Sequence, residues 1–390
     1  MIEQLTNSAV IELEQAHTSG VHTKRPIALV RGEGATVWDA EGRAYIDCVG
    51  GQGAANLGHA HPAVVAAITE QAARLISCTE IFPNDQRAAY QRELLAALPG
   101  FARTFLCNSG AEAVEGALKF ARLLTGRRGV VAAVRGFHGR TMGALSATWE
   151  PKYREPFLPL LEGFSHVPYN RVEALDAAVD GQTGAVLLEV VQGEGGVHPA
   201  SQEYVAAAAR ICRERGTLLV LDEIQTGFGR TGLLWGHQHY GVTPDLIALS
   251  KSIAGGVPMG AVVIHERLGS LPPATHGSTF GGNPLACAVA RAALRAIQEE
   301  ELPRQAAEKG AYLTERLRAL KLPKVREVRG LGLLVGLELK ERVQPTLQAL
   351  LERGVLALPA GPNVLRLLPP LVIGYDQLDQ VVAAVGETLA

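Results

Sequence analysis

Short apolar runs alternate with amphipathic stretches through the middle of this chain. The runs are RTFLC (103–107), GVVAAV (129–134), AVLLEVV (185–191), LLVL (218–221), LIALS (246–250) and GAVVI (260–264). Near-continuous hydrophobic strands separated by helical spacing predict a largely parallel sheet covered on both faces, hence an α/β fold. Ahead of this part, Ile27 to Asp47 reads as short alternating strands around the Glu41-Gly42 turn, a small antiparallel flap. PAVVAAITEQAARL and QRAAYQRELLAAL then have helical spacing, with Pro62 in the first turn. After GSTFGGNP a helical run from Pro284 to about Glu301 bridges to a smaller α+β part, whose expected strands are VREVRG, GLLVGLEL and NVLRLLP. The expected segmentation is therefore 1–60, 61–282 and 283–390, without internal repeats or low-complexity stretches.

Composition narrows the classes. Of 390 residues, 47% are hydrophobic and 19% charged, which suits a globular chain with a sizeable core. The net charge of −2 provides no global basic field for nucleic acid or anionic lipid. No apolar run reaches membrane-span length, and MIEQLTNSAVIELEQAHT carries acids where a secretory signal has a basic region, so a cytoplasmic enzyme is expected. Five widely spaced cysteines without a C-x-x-C pair argue against a disulfide framework or a thiolate metal site; they read as small buried hydrophobes, and no metal is expected.

In an open α/β sheet, ligands sit beyond the carboxyl ends of the strands, so the polar residues that come directly after each run matter most. RTFLC leads into Asn108, Ser109, Gly110, Ala111 and Glu112 at the start of a helix, where unpaired N–H groups and the dipole favour an anion. Ser109 alone is equally a helix N-cap. LLVL ends at Asp222 and Glu223, whose side chains face opposite ways, so only one of them can serve a given ligand. LIALS ends at Lys251, with close-approach glycines after it; burial there would lower its pKa and favour a nucleophilic amine, whereas a surface lysine would only snorkel. A phosphate cradle, an acid and a lysine on neighbouring strands are together the parts that a pyridoxal phosphate site requires.

The chain resembles the class III aminotransferases of the ornithine/acetylornithine type, among the fold-type I pyridoxal phosphate enzymes. The resemblance runs from about Ile27 onward and rests on NSGAEAVEGALKFAR, GFHGRTMGALSATWEPKYREPFLPL, QGEGGV, LLVLDEIQTGFGRTG, PDLIALSKSIAGGVPMGA, HGSTFGGNPLA and LRLLPPLVI. It is strongest toward the acetylornithine branch and the branch of lysine biosynthesis that works on the small acidic carrier protein LysW. It implies a mostly parallel seven-stranded sheet, a smaller α+β C-terminal domain and a homodimer with an intersubunit active site.

Carried over by motif, Lys251 would bind the cofactor covalently and move the substrate proton, and Asp222 would hold the ring nitrogen protonated. Gln225 would bond the ring hydroxyl and Phe137 would stack on the ring. Ser109, Gly110 and Ala111 would bind the phosphate, with Thr279 reaching it from the second subunit. Arg140, with Ser278 beside it, would receive the distal carboxylate of the substrate. Arg366 would receive the α-carboxylate of glutamate or 2-oxoglutarate, and Glu194 would pair with Arg366 when the substrate offers a terminal amine. The implied reaction is terminal-amine transfer to or from a lysine or ornithine whose α-amino group is blocked. Arg127, Arg128, Lys152 and Arg154 are candidates for a basic rim that would steer LysW, and against that stands the usual solvated charge run.

Val190 and Val114 depart from the family pattern at positions without an assigned cofactor contact, and Gln52 stands where several relatives place a tyrosine near the substrate carboxylate. His138 reads as a packing or supporting residue without a catalytic role. GFGRTG (227–232) fits the dinucleotide fingerprint, but the LLWGHQHYG after it would make a poor packing helix, so a dehydrogenase is disfavoured. Phosphate-loop, zinc-protease and hydrolase-elbow motifs are absent. Within the fold the rivals are an aminomutase, a decarboxylase and a 4-aminobutyrate or ornithine aminotransferase; a noncatalytic binding protein is the rival from another class.

Overall fold

In the computed structural model, residues 6–390 are described; the first five residues of the N-terminal stretch weighed as a secretory signal lie outside them. The central sheet has seven strands in the order Phe101–Cys107, Gly260–His265, Leu246–Leu249, Leu218–Asp222, Thr183–Leu188, Gly129–Ala133, Phe164–Val167. Gly260–His265 pairs antiparallel with both its neighbours, while the other pairings are parallel, so the sheet is mostly parallel as expected. Phe164–Val167 had no apolar run to announce it. FSHV sits at the sheet edge, only partly buried, so it needs no continuous hydrophobic pattern.

Strand alternation sends side chains to two faces. Leu187, Val220 and Ala248 pack with Ala113, Ala117 and Phe120 of the helix Gly110–Thr125. Val186, Leu188, Leu219 and Leu221 pack with Tyr204, Ala208 and Ile211 of the helix Gln202–Arg215. Each such leucine contributes about 1.5–3 kcal/mol through burial, which fixes the register of the strand ends that carry polar groups.

The flap forms from Leu29–Glu33, Thr36–Asp39 and Ala44–Asp47, and Val355–Leu356 adds to it in parallel. Gly42 takes φ 82° at its turn, and Asp39 accepts from the N–H groups of Glu41 and Arg43. The helix Pro284–Glu299, capped by Asn283, leads to a second helix, Leu302–Ala319. Beyond these lies a four-stranded antiparallel sheet of Val325–Leu331, Leu334–Leu339, Val364–Leu367 and Leu358–Pro359. Cys48, Cys107, Cys212 and Cys287 are buried as expected, whereas Cys78 is only half-buried. Among the described residues no helix is long and apolar enough to cross a membrane.

Candidate active site

Lys251 opens a single 3-10 turn directly after the strand Leu246–Leu249 and holds φ 45°, a left-handed conformation that costs a non-glycine residue energy. Two serines pin it there. Ser250 Oγ donates to the Met259 carbonyl at 2.7 Å and Ser252 Oγ to the Gly53 carbonyl at 2.9 Å. Part of the Lys251 surface stays open, yet burial of its surroundings lowers the ammonium pKa; Glu194 opposes that shift, Arg366 adds to it, and Asp222 and Glu189 oppose it.

Asp222 lies on the same strand parity as Val220, facing the side of the helix Gly110–Thr125. Its Oδ2 is 2.8 Å from His138 Nδ1, and its Oδ1 accepts from the Ile224 N–H at 3.1 Å. Burial opposes a charge on His138, but the hydrogen bond to Asp222 and the charges of Asp222 and Glu189 outweigh it, so the imidazole pKa is raised. Glu223 serves the other side, accepting from the Gly236 and His237 N–H groups and meeting His237 Nδ1 at 2.6 Å.

Ser109 caps the 16-residue helix Gly110–Thr125 by accepting from the Glu112 N–H at 3.2 Å. Glu112 turns back to the N–H and side-chain amide of Asn108. The N–H groups of Gly110 and Ala111 belong to the first turn and have no intrahelical acceptor. A Cβ on Gly110 would stand 2.9 Å from Ile224, two residues past Asp222, so this helix start packs directly against the Asp222 turn.

Arg366 is 1% exposed. Its Nη2 lies 2.7 Å from Glu194 Oε1 and its Nη1 donates to Gln225 Oε1 at 3.4 Å, while its Nε is buried without a partner. Gln225 is itself buried, and a Cβ at Gly193 would lie 1.8 Å from its Oε1, so a side chain there would displace the Gln225 amide.

Arg140 is exposed, with its guanidinium 3.5 Å from the Tyr153 ring centroid and 5.7 Å from that of Phe137. Ser278 Oγ accepts from the Asn108 amide and the Gly281 N–H and makes no hydrogen bond to Arg140 within the chain. Thr279 is exposed on the same loop. Gln52 is exposed in a left-handed turn, at φ 59°, between Gly50 and Gly53.

Two carboxylates without an expected role pin the loop that carries Phe137, His138 and Arg140. Glu115 Oε1 accepts from Thr141 Oγ1 and the N–H groups of Gly143 and Ala144. Glu189 accepts from the Phe137 N–H at 2.9 Å and the Gly193 N–H at 3.1 Å. Burial raises the Glu189 pKa to about 7; His138 pulls it down, Asp222 pushes it up, and the two N–H donors pull it down. The signal for Glu189 was present, because an acid interrupts the apolar run AVLLEVV. The strand stops at Leu188, and the chain resumes pairing at Val191–Gln192.

The suggested basic rim needs correction. Arg127 and Arg128 precede the strand Gly129–Ala133 and so lie at its amino end, away from Lys251; Arg127 donates to the carbonyls of Thr183 and Arg215. A cleft of 680 Å³ instead opens beside Phe137, Tyr153 and Glu194, and Lys152, Arg135, Arg326 and Arg342 line it.

A partly buried amine past one strand end, a carboxylate at the next and a helix start beside them define a pyridoxal phosphate site of the fold-type I kind. Residues 18–389 match the family model described as aminotransferase class-III, and the chain belongs to that family of pyridoxal phosphate-dependent aminotransferases. It is 54% identical over 381 residues to the [LysW]-aminoadipate semialdehyde transaminase of Deinococcus radiodurans, covering 96% of this chain and 89% of that one. It is 43% identical over 389 residues to the acetylornithine aminotransferase of Methanothermobacter thermautotrophicus, covering 99% of this chain and 100% of that one. Among solved structures, the ornithine aminotransferase of Toxoplasma gondii superposes with a TM-score of 0.95 at 35% identity, covering 99% and 95% of the two chains. The acetylornithine aminotransferase of Elizabethkingia anophelis superposes with a TM-score of 0.88 at 33% identity, covering 99% of each.

Proposed function

We propose that this aminotransferase moves a terminal amino group to or from a blocked lysine, most naturally lysine linked to LysW as in [LysW]-aminoadipate semialdehyde transamination, with glutamate and 2-oxoglutarate as the second pair. When bound, pyridoxal phosphate supplies the carbonyl that takes up the amino group and the ring that withdraws electrons from the substrate carbon. Lys251 is the covalent anchor and then the base that moves the proton at that carbon. Asp222, braced by His138, holds the proton on the ring nitrogen; Gln225 bonds the ring hydroxyl and Phe137 covers the ring face. Ser109, Gly110 and Ala111 receive the phosphate, and Thr279 of a second copy completes that contact, so the working unit is a homodimer. On this reading Ser278, held by Asn108 within its own chain, would join the Arg140 of the second copy.

The observation that carries the substrate reading is the Glu194–Arg366 contact at 2.7 Å. A buried guanidinium needs a counter-charge. Glu194 supplies one when the reacting end of the substrate has no carboxylate, and it withdraws when glutamate brings its own. The cleft beside Glu194, with Lys152, Arg135, Arg326 and Arg342, leaves room for a bulky acidic blocking group. Acetylornithine is the second reading, favoured by the acetylornithine aminotransferases among the relatives.

The test is a single-turnover half-reaction with carrier-linked lysine, acetylornithine, free ornithine and 4-aminobutyrate, followed by cofactor absorption. Preference for carrier-linked lysine, with a rate that falls as salt rises, is expected. Preference for acetylornithine moves the enzyme to arginine synthesis, and reaction with only the last two removes the blocked-substrate reading.

A further inference from the structure

Glu194 sits in a short loop whose two ends are held by side chains from distant parts of the chain, one just past the strand Thr183–Leu188 and one in the C-terminal sheet. At one end, Glu189 Oε2 accepts from the Gly193 N–H at 3.1 Å. The backbone of Glu189 is fixed in turn, because its carbonyl accepts from Tyr169 Oη at 2.7 Å. At the other end, Arg329 of the strand Val325–Leu331 donates to the Gly196 carbonyl through Nη2 at 2.7 Å and Nε at 3.0 Å, and to the Val197 carbonyl at 3.1 Å. Glu327 and Glu338 hold Arg329 from behind, each at 2.6 Å. Glu189 and Arg329 are both buried. The span between the pins is tight on its inner side, where Gly193 abuts Gln225, and on its outer side, where a Cβ at Gly195 would lie 2.3 Å from the Arg135 carbonyl.

We propose that Glu189 and Arg329 are positioning residues that set the resting place of Glu194 against Arg366 and thereby the balance between terminal-amine and α-amino substrates. The inference rests on the reading of Glu194 as the movable counter-ion of Arg366. With both pins intact, the Glu194 side chain reaches Arg366 from a fixed backbone and leaves by rotation alone. With either pin weakened, the loop backs away, the closed pair loses occupancy, and glutamate meets less competition for Arg366. Glu189 also holds the Phe137 N–H, so the loop under the ring-covering phenyl and the loop of the counter-ion share one carboxylate.

The test compares Glu189→Gln and Arg329→Lys with the parent holoenzyme. Glu189→Gln keeps the size but replaces one acceptor oxygen by a donor, and Arg329→Lys keeps the charge but loses the fork. KM and kcat are measured for acetylornithine and for glutamate in separate half-reactions, with melting curves and cofactor absorption as folding controls. The KM for acetylornithine should rise and that for glutamate fall or hold, shifting their ratio by about three- to tenfold, the worth of one hydrogen bond. For Arg329→Lys the kcat values should stay close to the parent's, whereas Glu189→Gln, whose carboxylate also holds the Phe137 N–H, is read by the ratio of the two KM values alone. A merely structural defect would lower both activities in parallel. Glu194→Gln separates the counter-ion from its pins. If it leaves the ratio unchanged, the counter-ion reading itself fails. If it shifts the ratio while a folded Glu189→Gln or Arg329→Lys does not, the proposal about the pins is overturned. Should Glu189→Gln not fold, Arg329→Lys decides alone.

Discussion

Arg366 and Arg140 are held in opposite ways. Arg366 is sealed in a strand of the C-terminal sheet, paired with Glu194 and touching Gln225. Arg140 is exposed on a loop and rests on the face of Tyr153. The inner wall, with Lys251, Asp222, Gln225 and Arg366, is complete within one chain. On the outer wall Arg140 and Thr279 are exposed while Asn108 and Gly281 hold Ser278, and on the homodimer reading proposed above a second copy would finish that wall. The difference separates two kinds of residue. On the proposed function, inner residues act through burial and fixed charge, whereas outer ones act through what is brought to them.

The strongest way to break that division is at its centre. Lys251→Ala should abolish the near-visible cofactor absorption and lower turnover by at least the roughly 10²–10⁴-fold that positioned proton transfer contributes. A variant that retained both would refute the assignment of Lys251. Asp222→Asn should cost about 10²–10³-fold in kcat, as loss of one preorganised electrostatic group does, with little change in KM. Arg366→Ala should impair the glutamate half-reaction by about 2–5 kcal/mol, because the α-carboxylate of glutamate loses its buried charged partner, while the terminal-amine half-reaction suffers less. Arg140→Ala should raise KM for the blocked substrate by about ten- to a hundredfold through one lost charged contact, at nearly constant kcat. Equal effects of both arginine variants on both half-reactions would dissolve the contrast.

The smallest effect concerns pH. The His138 pKa is raised in the folded chain by Asp222 and Glu189 despite its burial. That contribution to stability is full below about 6.5, the ordinary histidine value, and is lost as pH rises through the raised value. Cofactor-free His138→Asn should therefore show a flatter melting temperature than the parent from pH 6.5 upward, and matching slopes would remove the buried His138–Asp222 pair as a source.

Much of this was legible because apolar runs mark strands and the residue after each run marks the site. Asp222 and Lys251 obey that rule. Alternation also separates Asp222 from Glu223, whose carboxylate supports the Gly236 turn. Phe164–Val167 escaped because an edge strand needs little apolar surface. Two members of the basic rim were misplaced for want of chain direction: Arg127 and Arg128 come before a run, at the end of the sheet away from Lys251, whereas Lys152 does line the cleft. Glu115 and Glu189 act by holding backbone N–H groups, and neither a spacing nor a residue type announces which loop will fold back onto a carboxylate. GFGRTG had a different purpose altogether. Its Arg230 is buried and donates to the carbonyls of Leu333 and Pro369 and to Asn56 Oδ1. Burial lowers its pKa to about 9.

The parallel pairing of Val355–Leu356 with Ala44–Asp47 has a consequence for how the protein is made. The flap emerges early from a ribosome, but its fourth strand comes roughly 300 residues later, an interval of about 15–60 s at 5–20 residues per second. For that time the edge of Ala44–Asp47 has no partner from its own chain, and an unpaired edge is open to other strands. A polypeptide stalled or truncated before Val355 would carry that open edge for good, so early termination should yield aggregates even though the whole central sheet has already been translated.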